Sequence, residues 1–217
     1  MAYIHLVTGH ADSAHVTAAD AGSLNIGLVD AGRYVLNIGK KFACTATTNN
    51  NLRIEDGDIL MQGRHIRIEA GETVNLTLEN GTQGQYRNDL VVCRYTKEAS
   101  GVEKAELAVI KGTPATSNPE DPAYTAGDIQ GGDLLAEMPL YRIPLDGITV
   151  GTPIQLFALL KTGLERETEI SQAMLPKTGG TVTGPLTVQG MLKLTSTNYG
   201  DTLPAAGNAG RIFFKKV

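Results

Sequence analysis

Apolar and polar residues alternate with period two over much of residues 33–150, which predicts a chain built mainly from β-strands. The cleanest case is Glu72–Leu78. Val74, Leu76 and Leu78 share one face and Thr73, Asn75 and Thr77 the other, as in a half-buried antiparallel strand. Ile66 and Ile68 alternate with Arg67 and Glu69 in the same way. Arg33–Asn37, Lys41–Thr47, Asn51–Ile54, Asp58–Gln62 and Arg64–Glu69 read as strands. Asp56-Gly57, Ala70-Gly71 and Asn80-Gly81 read as the turns between such runs. Asp89–Lys97 and Lys104–Lys111 form the strongest pair, joined by a turn at Glu98–Gly101. Leu140–Leu145 and Ile148–Val150 add strand pieces around Asp146-Gly147. Turn signals at this density point to an antiparallel β-sandwich or a barrel-like module.

The helical signals are fewer. Thr17, with Asp20 three residues on, predicts a short helix near 18–23, against which Gly22 and Gly27 work. Leu134–Met138 reads as one helical turn. Thr152-Pro153-Ile154-Gln155 places a cap, a first-turn Pro and a Gln at helix-start spacing. It predicts a helix over Pro153–Lys161, a break at Gly163 and a resumption over Leu164–Met174. On it, Leu156, Leu160, Leu164, Ile170 and Met174 either face a threefold axis as a short stem or pack on the subunit's own sheet. Glu167 interrupts any heptad. Pro114–Gly132 carries Pro114, Pro119 and Pro122, with Tyr124 and Ile129 as its main apolar anchors. So long an excursion is expected to be functional or to embrace a neighbour.

The C-terminal stretch changes character. In Leu175–Gly190, LPKTGGTVTGPLTVQG, Pro176 ends a helix and Gly179-Gly180 makes a hinge. Thr181–Thr183 and Leu186–Val188 are short extended runs that cannot bury themselves and need copies from other subunits. Arg211–Val217 reads as a last strand with Ile212 and Phe214 on one face. Val182, Leu186, Val188, Ile212 and Phe214 thus join the stem residues as candidate oligomer-interface positions. The expected layout is a β-rich attachment module over 1–150, a helical stem or linker over 151–175 and a small β-rich fibre or tip segment over 176–217.

Composition narrows the function. Gly is abundant at 25 of 217 residues, charged residues make 19%, aromatics 5%, and Trp is absent. A stacking platform for nucleic acid or sugars is poorly supplied. The net charge of −4 argues against a nucleic-acid partner. Lys177, Lys193, Arg211, Lys215 and Lys216 face Asp201 alone at the C-terminal end. That reads as a solvated tail or as a cationic tip for anionic cell-surface polymers. Met1–Gly9 lacks a basic start and a sustained apolar run, so no signal peptide is expected, nor insertion into a membrane. Cys44 and Cys93 are expected in strands as buried free thiols.

Two stretches resemble bacteriophage tail-fibre and baseplate proteins. Residues 176–186, Pro-Lys-Thr-Gly-Gly-Thr-Val-Thr-Gly-Pro-Leu, match the junction motif of that family. The second anchor is Arg87-Asn88-Asp89-Leu90-Val91-Val92, then Gly112-Thr113-Pro114, then Pro139-Leu140-Tyr141-Arg142-Ile143. Asn88 departs from the Ile or Val more usual in the family. His15–Gly22 is also similar to the opening of short phage tail proteins from Gram-positive hosts. The resemblance implies a homotrimeric structural protein of a virion tail or tail-like particle. Its partners would be other tail or baseplate proteins and a host cell-surface glycan.

The search for chemistry yields no catalytic constellation, cofactor site or metal site. His5, His10 and His15 are spaced by five and do not share a helix or strand face. Asp56 and Asp58 match only a fragment of a calcium loop. Glu165, Glu167 and Glu169 read as a solvated helical face. The expectation is therefore a non-enzymatic component acting in assembly and attachment. The alternatives are a monomeric β-sandwich module binding carbohydrate or protein and, further off, a polysaccharide-degrading tail enzyme.

Overall fold

The structure, a computed structural model, describes residues 16–173. The chain divides into Met1–Glu167 and Thr168–Val217. Among its described residues the first unit holds two five-stranded, mainly antiparallel sheets whose apolar faces share one core. Of the second, the end of helix α2 (Gly163–Ala173) is described. Helix α1 (Ala18–Leu28) opens the described chain with the expected capping box, in which Thr17 and Asp20 each accept the other's backbone N–H. The helix runs past Gly22 and Gly27. Gly22 lies against Gly63, where a Cβ on Gly63 would stand 2.5 Å from the Gly22 carbonyl oxygen.

The first sheet is organised on β3 (Asn51–Met61). One edge of β3 pairs with β4 (Arg64–Thr77). The other is shared by β2 (Cys44–Thr48) beside its N-terminal half and β1 (Arg33–Leu36) beside its C-terminal half. Leu52, Ile54, Ile59 and Met61 are fully buried, each worth about 1.5–3 kcal/mol of burial. The hairpin turn is Gln62-Gly63, with φ of 49° and 85°, the two positive angles that match strand twist. Asp56-Gly57 and Ala70-Gly71 are not turns, contrary to expectation. Both strands run on through them, and the register shifts between Glu55 and Gly57. Turn-forming dipeptides here mark a bulge inside a long hairpin. Strand β2 starts at Cys44, later than expected, because Lys41 and Phe42 hold positive φ in the preceding turn.

The second sheet centres on β5 (Tyr86–Lys97), flanked by β6 (Glu103–Ile110) and β7 (Leu135–Asp146). Strands β8 (Thr149–Val150) and β9 (Ile154–Gln155) share the outer edge of β7. Val91, Cys93 and Tyr95 from β5 meet Ala136, Met138, Ile143 and Leu145 from β7 in the common core. The helical turn expected at Leu134–Met138 is instead the start of β7, since Ala136 and Met138 alternate inward from the sheet.

The helix expected over Pro153–Lys161 is replaced by a strap. Strand β9 adds to the second sheet, and β10 (Leu159–Leu160) pairs in parallel with β1 of the first. Phe157 between them enters the core and meets Tyr141 edge-on, with ring centroids 5.5 Å apart. Stacked sheets lie about 10 Å apart. Extended residues at about 3.3 Å each cross that distance between β9 and β10, whereas a helix at 1.5 Å per residue falls short. The cap that does operate comes later. Thr162 and Glu165 exchange hydrogen bonds of 2.7 and 3.2 Å at the start of α2.

Candidate functional site

The candidate site is built on the face of the second sheet turned away from the core. Leu90 and Val92 point to that face from β5, opposite Val91 and Cys93, and are buried all the same. Their cover is the Pro-rich excursion after β6. It folds back on its own sheet. Ala115 bridges to Tyr86 by paired backbone bonds of 2.7 and 2.8 Å. Asn88 donates to the Pro119 carbonyl at 2.9 Å. Arg142 grips the Asp121 carboxylate with two bonds of 2.6 and 2.5 Å. The Glu137 N–H donates to the Thr125 carbonyl and the Glu137 carboxylate accepts the Thr125 N–H, each at 2.7 Å. Gln62, at the tip of the first hairpin, donates to the Gly127 carbonyl and accepts the Ile129 N–H. Pro114, Pro119 and Pro122 lack the N–H a strand ladder needs, and a mixture of backbone and side-chain bonds satisfies the segment.

Next to this cover lies a buried ion pair. Arg87 and Asp89 form a bidentate pair at 2.8 and 2.9 Å, with side chains 3% and 1% exposed. Asp89 also accepts the Gly112 N–H at 2.9 Å, and Arg87 donates to the Glu79 carbonyl at 2.6 Å. Gly112 sits where a Cβ would stand 1.9 Å from the Asn88 carbonyl oxygen, so only glycine fits. Arg87, Asp89, Gly112 and Arg142 thus fasten loops to strands. Arg142 holds the Asp121 carboxyl below the usual carboxylate range, with the Asn88 amide adding to that effect.

Two clefts flank the Asp121–Arg142 pair. One, of about 360 Å³, lies between the excursion and the strap, with Arg33, Tyr124, Met138 and Leu156 in its wall. The other, of about 380 Å³, is mainly apolar and lined by Tyr86, Pro119, Pro144 and Ile154. A third cleft, of about 400 Å³, runs between α1 and the starts of β4 and β6. There Arg64 and Glu103 pair at 2.8 and 2.9 Å. The guanidinium lowers the Glu103 carboxyl, and the carboxylate raises Arg64.

The sequence-derived candidates separate in space. Leu156 edges the strap cleft, and Leu160 is half-buried in β10. Leu164 and Ile170 are exposed on α2, at 74% and 59%. Met174, Pro176, Gly179, Gly180, Val182, Leu186, Val188, Ile212 and Phe214 lie outside the described residues, as do His5, His10 and His15. Glu165 serves as a helix cap, and Glu167 and Glu169 are exposed. Asp58 meets His65 at 2.5 Å, while Asp56 is buried on the bulge with one carboxylate oxygen unpartnered. No group of three or more His, Cys, Asp or Glu able to hold a metal occurs among the described residues. Cys44 and Cys93 are free thiols, and burial pushes each up to about 12. No described helix is long and apolar enough to cross a membrane. Sequence reasoning missed Arg33 and Gln62, since nothing local in their sequence sets them apart from ordinary strand and turn residues. No protein-family model matches the chain, and no curated protein matches it significantly.

Proposed function

We propose that this chain is a structural component of a phage tail or phage-tail-like particle, a baseplate or short tail-fibre protein acting in assembly and host attachment. One observation carries the reading. Of the residues that resemble that family, Arg87, Asp89 and Gly112 are in mutual contact, and Arg142 fastens Asp121 of the excursion. The part of the likeness that falls on described residues thus rests on side chains that act together. The protein works by binding and without covalent chemistry. Its copies associate as a homotrimer, with Leu164 and Ile170 of α2 and the 176–217 segment supplying apolar contacts. The site of action is the virion tail or tail-like particle, with other tail proteins as partners.

The test is the absolute mass of the full-length protein by light scattering on a sizing column. A mass of three chains that survives dilution is the expected result. A clean monomer at micromolar concentration overturns the trimeric assembly. A second reading, a monomeric β-sandwich binding module, is favoured by the open cleft beside Tyr124, and that outcome would select it.

A further inference from the structure

Arg33 stands apart from most arginines of the sandwich. Arg53, Arg64, Arg67, Arg87, Arg94 and Arg142 each meet a carboxylate. No carboxylate of the described residues pairs with Arg33. It is half-buried, it donates to the Ala126 and Gly127 carbonyls at 2.5 and 2.6 Å, and its Nε is buried without a partner. A half-buried guanidinium with only carbonyl dipoles as partners lacks the counter-charge that ordinarily offsets its partial desolvation. It lines the 360 Å³ cleft between excursion and strap, a volume within the range of small-ligand sites.

The rest of the cleft is chemically specific. Leu90, Met138, Pro139 and Leu156 make an apolar wall. Tyr124 is 46% exposed in the lining. The one carboxylate in the lining, Asp121, is already held by Arg142 and Asn88. Arg33 therefore leaves the site with one uncompensated positive charge. An extended peptide would need unpaired backbone groups along the cleft. Here that backbone is taken: Leu156 N–H donates to the Leu140 carbonyl, Val35 N–H to the Ala158 carbonyl and Glu137 N–H to the Thr125 carbonyl.

We propose that this cleft binds an acidic sugar. Arg33 receives its carboxylate or phosphate, and Tyr124 and the apolar wall receive the C–H face of the ring. The role of such binding in attachment rests on the reading above, but the binding itself does not. A monomer that takes up the acidic sugar would remove the trimeric tail assignment and leave the site standing.

The experiment is a titration of the full-length, isotope-labelled protein, followed by amide NMR. The titrants are D-glucuronate, glycerol 1-phosphate, inorganic phosphate and neutral D-glucose. Glucuronate is expected to move the Tyr124, Ala126 and Gly127 amides with a Kd of about 1–10 mM, a weak single-ring affinity. Glucose should bind at least about tenfold more weakly, as loss of one charge-assisted pair predicts. Comparable shifts with glycerol 1-phosphate would identify phosphate as an equally good head group, and none would restrict the site to carboxylates. Arg33→Gln should abolish the glucuronate shifts. Tyr124→Ala, at an exposed position that leaves the fold intact, should weaken them about fivefold. Equal binding of glucose and glucuronate overturns the proposal, as does an absence of shifts with every titrant. Inorganic phosphate reproducing the glucuronate effect in full, with Tyr124→Ala unaffected, overturns the sugar. Full glucuronate affinity in Tyr124→Ala overturns it even where Arg33→Gln fails to fold.

Discussion

Replacing Asp89 by Ala tests whether the family-like residues are framework or surface. The carboxylate accepts two bonds from Arg87 and one from the Gly112 N–H, and both charged side chains are almost wholly buried. Ala leaves Arg87 charged, buried and facing only the Glu79 and Asn80 carbonyls. Breaking a buried pair from one side costs about 3–5 kcal/mol, more than the pair itself contributes, because the surviving charge stays desolvated. With a urea m-value of about 2 kcal/mol per M, the unfolding midpoint of the full-length chain should fall by about 2 M. The measurement is made at fixed protein concentration, since association shifts apparent stability. The double variant Arg87→Met/Asp89→Leu removes both charges and should recover at least half of the loss. A drop below about 0.5 M for Asp89→Ala would refute the argument. So would a double variant no more stable than the single one.

Three further outcomes follow from the same geometry. Gly112→Ala would force a methyl within 1.9 Å of the Asn88 carbonyl oxygen. The chain must shift there, and solubility or a urea midpoint lowered by more than about 1 M is the readout. Phe157→Ala removes the ring that holds the strap in the core and should cost about 3–5 kcal/mol, with faster amide exchange at Leu156 as the local sign. The Glu103 and Asp121 carboxyls are lowered by Arg64 and Arg142. Their stabilisation is complete above the unfolded carboxylate range near pH 4 and is lost as pH falls through the depressed folded values. Arg64→Met and Arg142→Met should therefore flatten the acid limb of the stability–pH curve while leaving the difference between pH 6 and pH 8 unchanged.

Strands with strict alternation were legible because their period is set by the pleat itself. Asp89–Lys97 falls within an observed strand and Glu72–Leu78 does so as far as Thr77, and Thr17 caps its helix through Asp20 as read. What failed were signals that tertiary structure can satisfy in more than one way. Asp56-Gly57 and Ala70-Gly71 favour a change of direction, and a bulge opposite an outward loop uses that preference as well as a hairpin does. Thr152-Pro153-Ile154-Gln155 is a sound local helix start, but one sheet edge and then the other claim the backbone that follows. Local propensity of a few tenths to about 1 kcal/mol per residue yields to burial of a ring such as Phe157. The candidate cleft was still harder to read, since Arg33, Leu90, Tyr124 and Leu156 come from four separate segments. No spacing rule links them, and only the fold of the excursion onto the sheet brings them together.

The division between framework and cleft bears on what any likeness to tail proteins can transmit. Arg87, Asp89 and Gly112 are matched motif residues with buried partners, so their identity is dictated by the need to close loops over the second sheet. Arg33 and Tyr124 belong to neither motif; Tyr124 makes none of the framework contacts, whereas Arg33 donates to the Ala126 and Gly127 carbonyls of the excursion. Replacing Tyr124 would change the shape of the cleft while Arg87, Asp89, Gly112 and Arg142 kept their contacts, and replacing Arg33 would remove its charge together with two bonds to the excursion. Architecture and ligand choice are thereby separable in this molecule. A stable scaffold is held by an interior ion pair and a glycine that tolerates no side chain. Ligand choice rests on Tyr124 of the excursion and Arg33 of β1, which stand outside that ion pair.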